Sequence, residues 1–147
     1  MTIVERMVAL DPETFDALID TVRRFVSERL RPLEGAVEEA DAIPAEIVQE
    51  MRDMGLFGLS IAEDYGGLGL TMSEEVRVAI EFGRTTPAFR STFGTNVGIG
   101  SQGLVMFGTP EQKAKWLPGV ASGETVDRKS TRLNSSHRSL SRMPSSA

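Results

Sequence analysis

The chain has 147 residues, 40% of them hydrophobic, with 21 acidic against 16 basic residues and a formal net charge of -5, which is enough sequence for one core of ordinary size. There is no cysteine, and the single histidine, His137, lies near the end, so disulfides, thiolate metal sites and a zinc or histidine-based centre in the body are excluded. Residues 128–147 hold five basic residues, seven serines and no carboxylate; the preceding 127 residues therefore sit at about -10, an acidity that argues against nucleic acid as a partner of the body.

The opening MTIVERMVALDPETF has no long apolar run behind a basic start. It does not read as a signal peptide, and a soluble, cytoplasmic protein is the expectation. Asp11-Pro12 supplies an N-cap and a first-turn proline, and Phe15, Leu18, Ile19, Val22, Phe25, Val26 and Leu30 follow at helical spacing. Pro32 is expected to end that helix. A second, short helix begins near Pro44, carries Ile47, Val48, Met51 and Met54 as its apolar stripe, and meets Gly55 where a left-handed C-cap belongs. LFGLSIA, residues 56–62, reads as an apolar connection or an extended piece leading into the loop EDYGGLGLT. That loop lacks the Lys-Ser/Thr of a phosphate-binding P-loop, so its glycines are read as a structural turn and Tyr65 as a packing residue. Ser73 is placed to cap the next helix, with Glu74 and Glu75 in its first turn and Val76, Ala79, Ile80 and Gly83 on one face.

Residues 91–110 contain no charged residue. The length suits a bilayer, but Thr92, Thr95, Asn96, Ser101, Gln102 and five glycines dilute the stretch, and no membrane span is expected. GIGSQG, residues 98–103, has the letters of a dinucleotide fingerprint without the strand, long helix and acidic residue that such a site needs. A small-residue helix buried on most of its surface is the simpler reading. On such a helix Gly94 and Gly98 fall on one side, open to close approach by a backbone or ligand, and Ser91, Thr95 and Ile99 form a neighbouring strip at four-residue steps. Packing and the lining of a cavity both account for that strip. Thr109-Pro110-Glu111-Gln112 is a capping box that opens a further helix, which Pro118 is expected to stop before a short turn through Val120 to Gly123.

Taken in order, IPAEIVQEMRDMGLFGLSIAEDYGGLGLT, FRSTFGTNVGIGSQGLVMFGTPEQKAKWLPGVASGE and the amphipathic helix before them resemble the flavin-dependent acyl-CoA dehydrogenases over residues 11–124. The resemblance implies an all-α fold, an orthogonal bundle of about five to six helices like the N-terminal domain of that family, spanning residues 1–124. It implies oxidation of an acyl-CoA thioester to the trans-2-enoyl product, with hydride passed to FAD and an electron-transfer flavoprotein as the usual acceptor, in an enzyme that is usually a homo-oligomer. The family's glutamate base and most of its flavin contacts belong to later domains, so no catalytic, cofactor-binding or metal-binding residue is expected here. What the N-terminal domain contributes in the family is a wall of the acyl pocket, and Ser91, Thr95 and Ile99 fall where substrate-lining residues belong.

Family members continue after a segment like LPGVASGE into a β-domain with a Phe-Ala-Leu-Thr-Glu-Pro-like motif, whereas this chain reads TVDRKSTRLN. Residues 125–147 are therefore read as a disordered basic tail of foreign origin, and the chain as a fragment that by itself neither holds FAD tightly nor turns over acyl-CoA. The competing expectation is a stand-alone helical interaction module whose tail meets an anionic partner.

Overall fold

The computed structural model describes residues 10–126, and among them no strand occurs. Seven α-helices fall into five helical runs, linked by short turns. The fold is all-α, as the sequence pattern predicts.

The first run begins at α1 (Pro12–Arg24), where the Asp11 carboxylate accepts from the Thr14 amide at 2.9 Å. Pro32 does not end it. The helix widens to a π turn (Phe25–Leu30), tightens to a 3-10 turn (Arg31–Leu33) and continues as α2 (Glu34–Ala40), stopping at Asp41 in the left-handed region. The proline occupies the first turn of the 3-10 segment, where its missing N–H and fixed φ do least harm, and the change of pitch absorbs its ring.

α3 (Ala45–Asp53) ends with Gly55 at φ +73°, as its stripe and glycine predict. Residues 56–62 are not extended. A 3-10 turn (Leu56–Gly58) and a second one (Glu63–Tyr65) fold the segment onto itself, with Leu56, Phe57, Leu59 and Ile61 buried. The glycine loop closes back on this turn through Leu68 N–H to Gly58 O (2.9 Å), Gly69 N–H to Ile61 O (2.8 Å) and Leu70 N–H to Leu59 O (2.7 Å). At Gly67 a Cβ would lie 2.0 Å from Ile61 O, so the approach requires glycine.

α4 (Met72–Phe82) is capped by Thr71 and not by Ser73. The Thr71 hydroxyl accepts from Glu74 N–H while the Glu74 carboxylate accepts from Thr71 N–H at 2.8 Å, a complete capping box. Its buried side holds Glu74, Val78, Glu81 and Phe82, with Glu81 paired to Arg23 of α1 at 3.0 Å, while Val76 and Ile80 turn outward.

α5 (Pro87–Thr95), a π turn (Asn96–Gly100) and α6 (Gln102–Phe107) make the fourth run. Phe93 of α5 meets Phe82 edge-on at a centroid distance of 4.9 Å and Phe57 at 6.4 Å, which knits α4, α5 and the 56–58 turn into the core; each such ring contributes about 1.5–3 kcal/mol by burial. The expectation of a helix buried over most of its surface is not met: only Phe89, Phe93, Asn96, Val97 and Ser101 of this run are buried. α7 (Pro110–Ala121) starts on the predicted Thr109/Gln112 capping box. Pro118 interrupts one backbone bond without stopping the helix, because Leu117, Val120 and Ala121 are buried against Ile61 and hold the last turn in place.

Candidate functional site

α5 and the π turn that follows it carry the residues singled out by the sequence. Ser91 is exposed, and its hydroxyl donates back to Pro87 O at 3.0 Å. Thr95 closes α5 and is half-buried; Ile99 sits inside the π turn and is 78% exposed. Ser91 and Thr95 therefore share a face one α-turn apart. Ile99, four steps on, lies within the π turn, where i→i+5 bonding replaces the α pattern.

The concave feature of this region lies on the adjoining face. A cleft of about 90 Å³ runs between α4 and α5, lined by Leu59, Met72, Glu75, Val76, Arg90 and Gly94. Gly94 forms part of its wall, and a Cβ there would lie 3.2 Å from the Arg90 Nη1, so the guanidinium lies along the helix in the space that glycine leaves. Among the described residues, no backbone outside the helix itself comes within 4 Å of a Cβ placed at Gly94 or Gly98. Burial pushes the Glu75 carboxyl above its ordinary pKa, and the Arg90 charge and the Ser60 hydroxyl only partly offset that effect. The cleft thus holds a permanent cation beside a carboxyl that ionises reluctantly, within mostly apolar walls. Sequence reasoning missed Arg90 and Glu75. The available signal for Arg90 was its place four residues before Gly94, on the same helical face.

A larger, more open hollow of about 320 Å³ lies between α6 and α7, lined by Leu104, Phe107, Gln112 and Trp116 together with glycines. Its lining side chains include no titratable group, and Gln112 and the glycine backbone make it about as polar as apolar.

The glycine loop cannot cradle a pyrophosphate. Its amides from Gly66 to Leu70 are spent on the carbonyls of residues 58–63, which leaves no nest of free N–H groups. With its amides engaged in this way, the loop does not fit the phosphates of FAD. Among the described residues no group of three His, Cys, Asp or Glu side chains is gathered for a metal, and no helix is long and apolar enough to cross a membrane.

The family model "Acyl-CoA dehydrogenase, N-terminal domain" matches residues 12–124. The chain belongs to the acyl-CoA dehydrogenase family. Among curated relatives, the (2S)-methylsuccinyl-CoA dehydrogenase of Cereibacter sphaeroides is 40% identical over 115 residues, which is 78% of this chain and 21% of that protein. Among solved structures, the glutaryl-CoA dehydrogenase of Mycobacterium smegmatis, in complex with FADH2, matches with a TM-score of 0.65 and 28% identity over 84% of this chain and 31% of that one. A structure described as an electron transferring flavoprotein of Acidaminococcus fermentans matches with a TM-score of 0.69 and 27% identity, over 78% of this chain and 30% of that one. The chain thus spans about a fifth of that curated acyl-CoA dehydrogenase and under a third of these solved chains. The family match supports the acyl-CoA dehydrogenase reading over the stand-alone interaction module. The basic tail on which the module reading leaned lies almost wholly outside the described residues.

Proposed function

We propose that this chain serves as the N-terminal domain of an acyl-CoA dehydrogenase and walls the acyl pocket. The match of the whole helical domain, residues 12–124, to the N-terminal domain of that family carries this reading. In the whole enzyme the activity is α,β-dehydrogenation of an acyl-CoA thioester, with FAD held by other domains and an electron-transfer flavoprotein as acceptor. Ser91, Thr95 and Ile99 contribute the wall, and homo-oligomerisation follows the family habit. The chain alone is not the catalyst.

Arg90 favours one substrate class. A guanidinium beside Gly94, at a cleft whose lining carboxyl, Glu75, is reluctant to ionise, is suited to the far carboxylate of an acyl group that has an acid at each end. Two of the relatives are named for acyl groups of that kind, methylsuccinyl and glutaryl. Grafting residues 10–126 in place of the N-terminal domain of a family enzyme, and following flavin bleaching by acyl-CoA esters, tests both levels. A working graft in which Thr95→Phe lowers kcat/KM for the longer esters by about tenfold or more supports the wall. Arg90→Gln is expected to lower kcat/KM by about tenfold or more for carboxyl-terminated esters and to leave plain alkyl esters unchanged. A graft that binds flavin yet is indifferent to Thr95→Phe removes the wall reading. Equal effects of Arg90→Gln on both ester classes remove the substrate class.

A further inference from the structure

We infer that Asn96 is a positioning residue that locks the π turn of the pocket helix to the chain leaving α7. Its side chain is completely buried, and its amide nitrogen donates to Val120 O at 3.2 Å and to Thr125 O at 2.9 Å. The first carbonyl belongs to the last turn of α7 and the second lies five residues on, in the chain that leaves it. A primary amide carries two N–H donors on one atom, which a hydroxyl lacks, so asparagine can hold both carbonyls at once.

The rest of the segment is shaped to meet it. Thr125 N–H donates to Gly119 O at 2.9 Å, folding the chain back over the last turn of α7. Gly123 adopts φ +72°, and a Cβ there would lie 2.7 Å from the Phe57 ring, so the chain passes hard against the core. Val126 packs on the main apolar cluster.

The π turn is held from its other side as well. Val97 O accepts from the Ser60 and Ser101 hydroxyls, each at 3.0 Å, and both serines are buried. The turn between Thr95 and Ser101 is therefore fixed between the 59–61 turn and the exit segment. Thr95, which caps this turn, and Ile99, within it, take their position relative to the departing chain from Asn96. The functional weight of this coupling rests on the proposal that Thr95 and Ile99 wall the acyl pocket; the coupling itself does not.

Hydrogen exchange of the full chain, read by mass spectrometry, tests it without acyl-CoA. Asn96→Asp keeps the shape and removes the donating amide, and Gly123→Ala displaces the exit segment without touching the π turn. Each is expected to speed exchange by about tenfold or more in both residues 96–101 and residues 119–126, with α1 and α3 unchanged. Ile47→Val, a core substitution in α3 that makes neither bond of the clamp, is the control and is expected to leave both segments at their wild-type rates. Faster exchange in only one segment, a uniform rise over all helices, or the same response in the control overturns the inference. Either Asn96→Asp or Gly123→Ala decides alone should the other fail to fold. Failure of the clamp leaves the acyl-pocket proposal standing, and an inert graft leaves the clamp standing.

Discussion

At Glu75 the fold bears a small electrostatic cost. Burial raises its pKa by more than Arg90 and Ser60 lower it, so the folded state binds a proton more readily than the unfolded chain. Stability on this account is unpenalised below the unfolded carboxyl pKa and falls as pH rises through the interval up to the folded value. Glu75→Gln removes the cost at neutral pH. The variant is expected to melt on the order of 1–3 °C above wild type at pH 7, a modest figure because the site is partly solvated, with the difference closing below about pH 4. A lower melting temperature at pH 7, or a gap that widens in acid, would show that the Arg90 attraction dominates. Neither Glu75 nor Arg90 was legible as a site residue in the sequence. They come from different helices, which core packing such as that of Phe82 on Phe93 places side by side.

Two capping boxes of the same chemistry differ in what surrounds them. Thr109 and Gln112 are exposed, whereas Glu74 is 8% exposed and also accepts from the Thr71 hydroxyl at 2.7 Å. Thr109→Ala is expected to cost about 1 kcal/mol, the usual value of a lost cap. Thr71→Ala is expected to cost about 2 kcal/mol, since it also strips a partner from a buried carboxylate. Urea denaturation of the two variants measures the difference, and equal costs would mean that Glu74 finds solvent. The Thr109 box and the Asp11 cap could be read directly, because each stands at a clean break in pattern. The α4 cap was misplaced at Ser73, since consecutive glutamates at 74 and 75 suit a first turn in either register. Pro32 and Pro118 misled for different reasons: Pro32 falls in the first turn of a 3-10 segment, where its missing N–H costs least, and the interior penalty of about 3 kcal/mol at Pro118 is exceeded by the combined burial of Leu117, Val120 and Ala121.

Across the whole domain the apolar residues divide between a closed core and an outward set. Met72, Val76 and Ile80 of α4, Ile99 of the π turn, Met106 and Phe107 of α6 and Trp116 of α7 are all exposed. That much uncovered apolar surface makes self-association the expected behaviour of the chain in solution. Met106 and Phe107 are 65% and 81% exposed, so replacing both by serine removes little buried area. The double variant is expected to sediment as a smaller species at matched concentration with a melting temperature within about 2 °C of wild type. Unchanged sedimentation would move the contact elsewhere. The fold class and the domain's family were legible because capping, glycine turns and apolar spacing recur in order along the chain. The cleft was not, because it exists only between helices.

The π turn at residues 96–100 has a further consequence for comparing this chain with its kin. A turn with one residue too many is an insertion hidden inside a helix, marked by no loop and no charge. A relative without it will match α5 up to Thr95 and α6 from Gln102, yet will need a one-residue gap between them. Column-by-column transfer of roles that omits the gap will then assign the duties of one helical face to its neighbour.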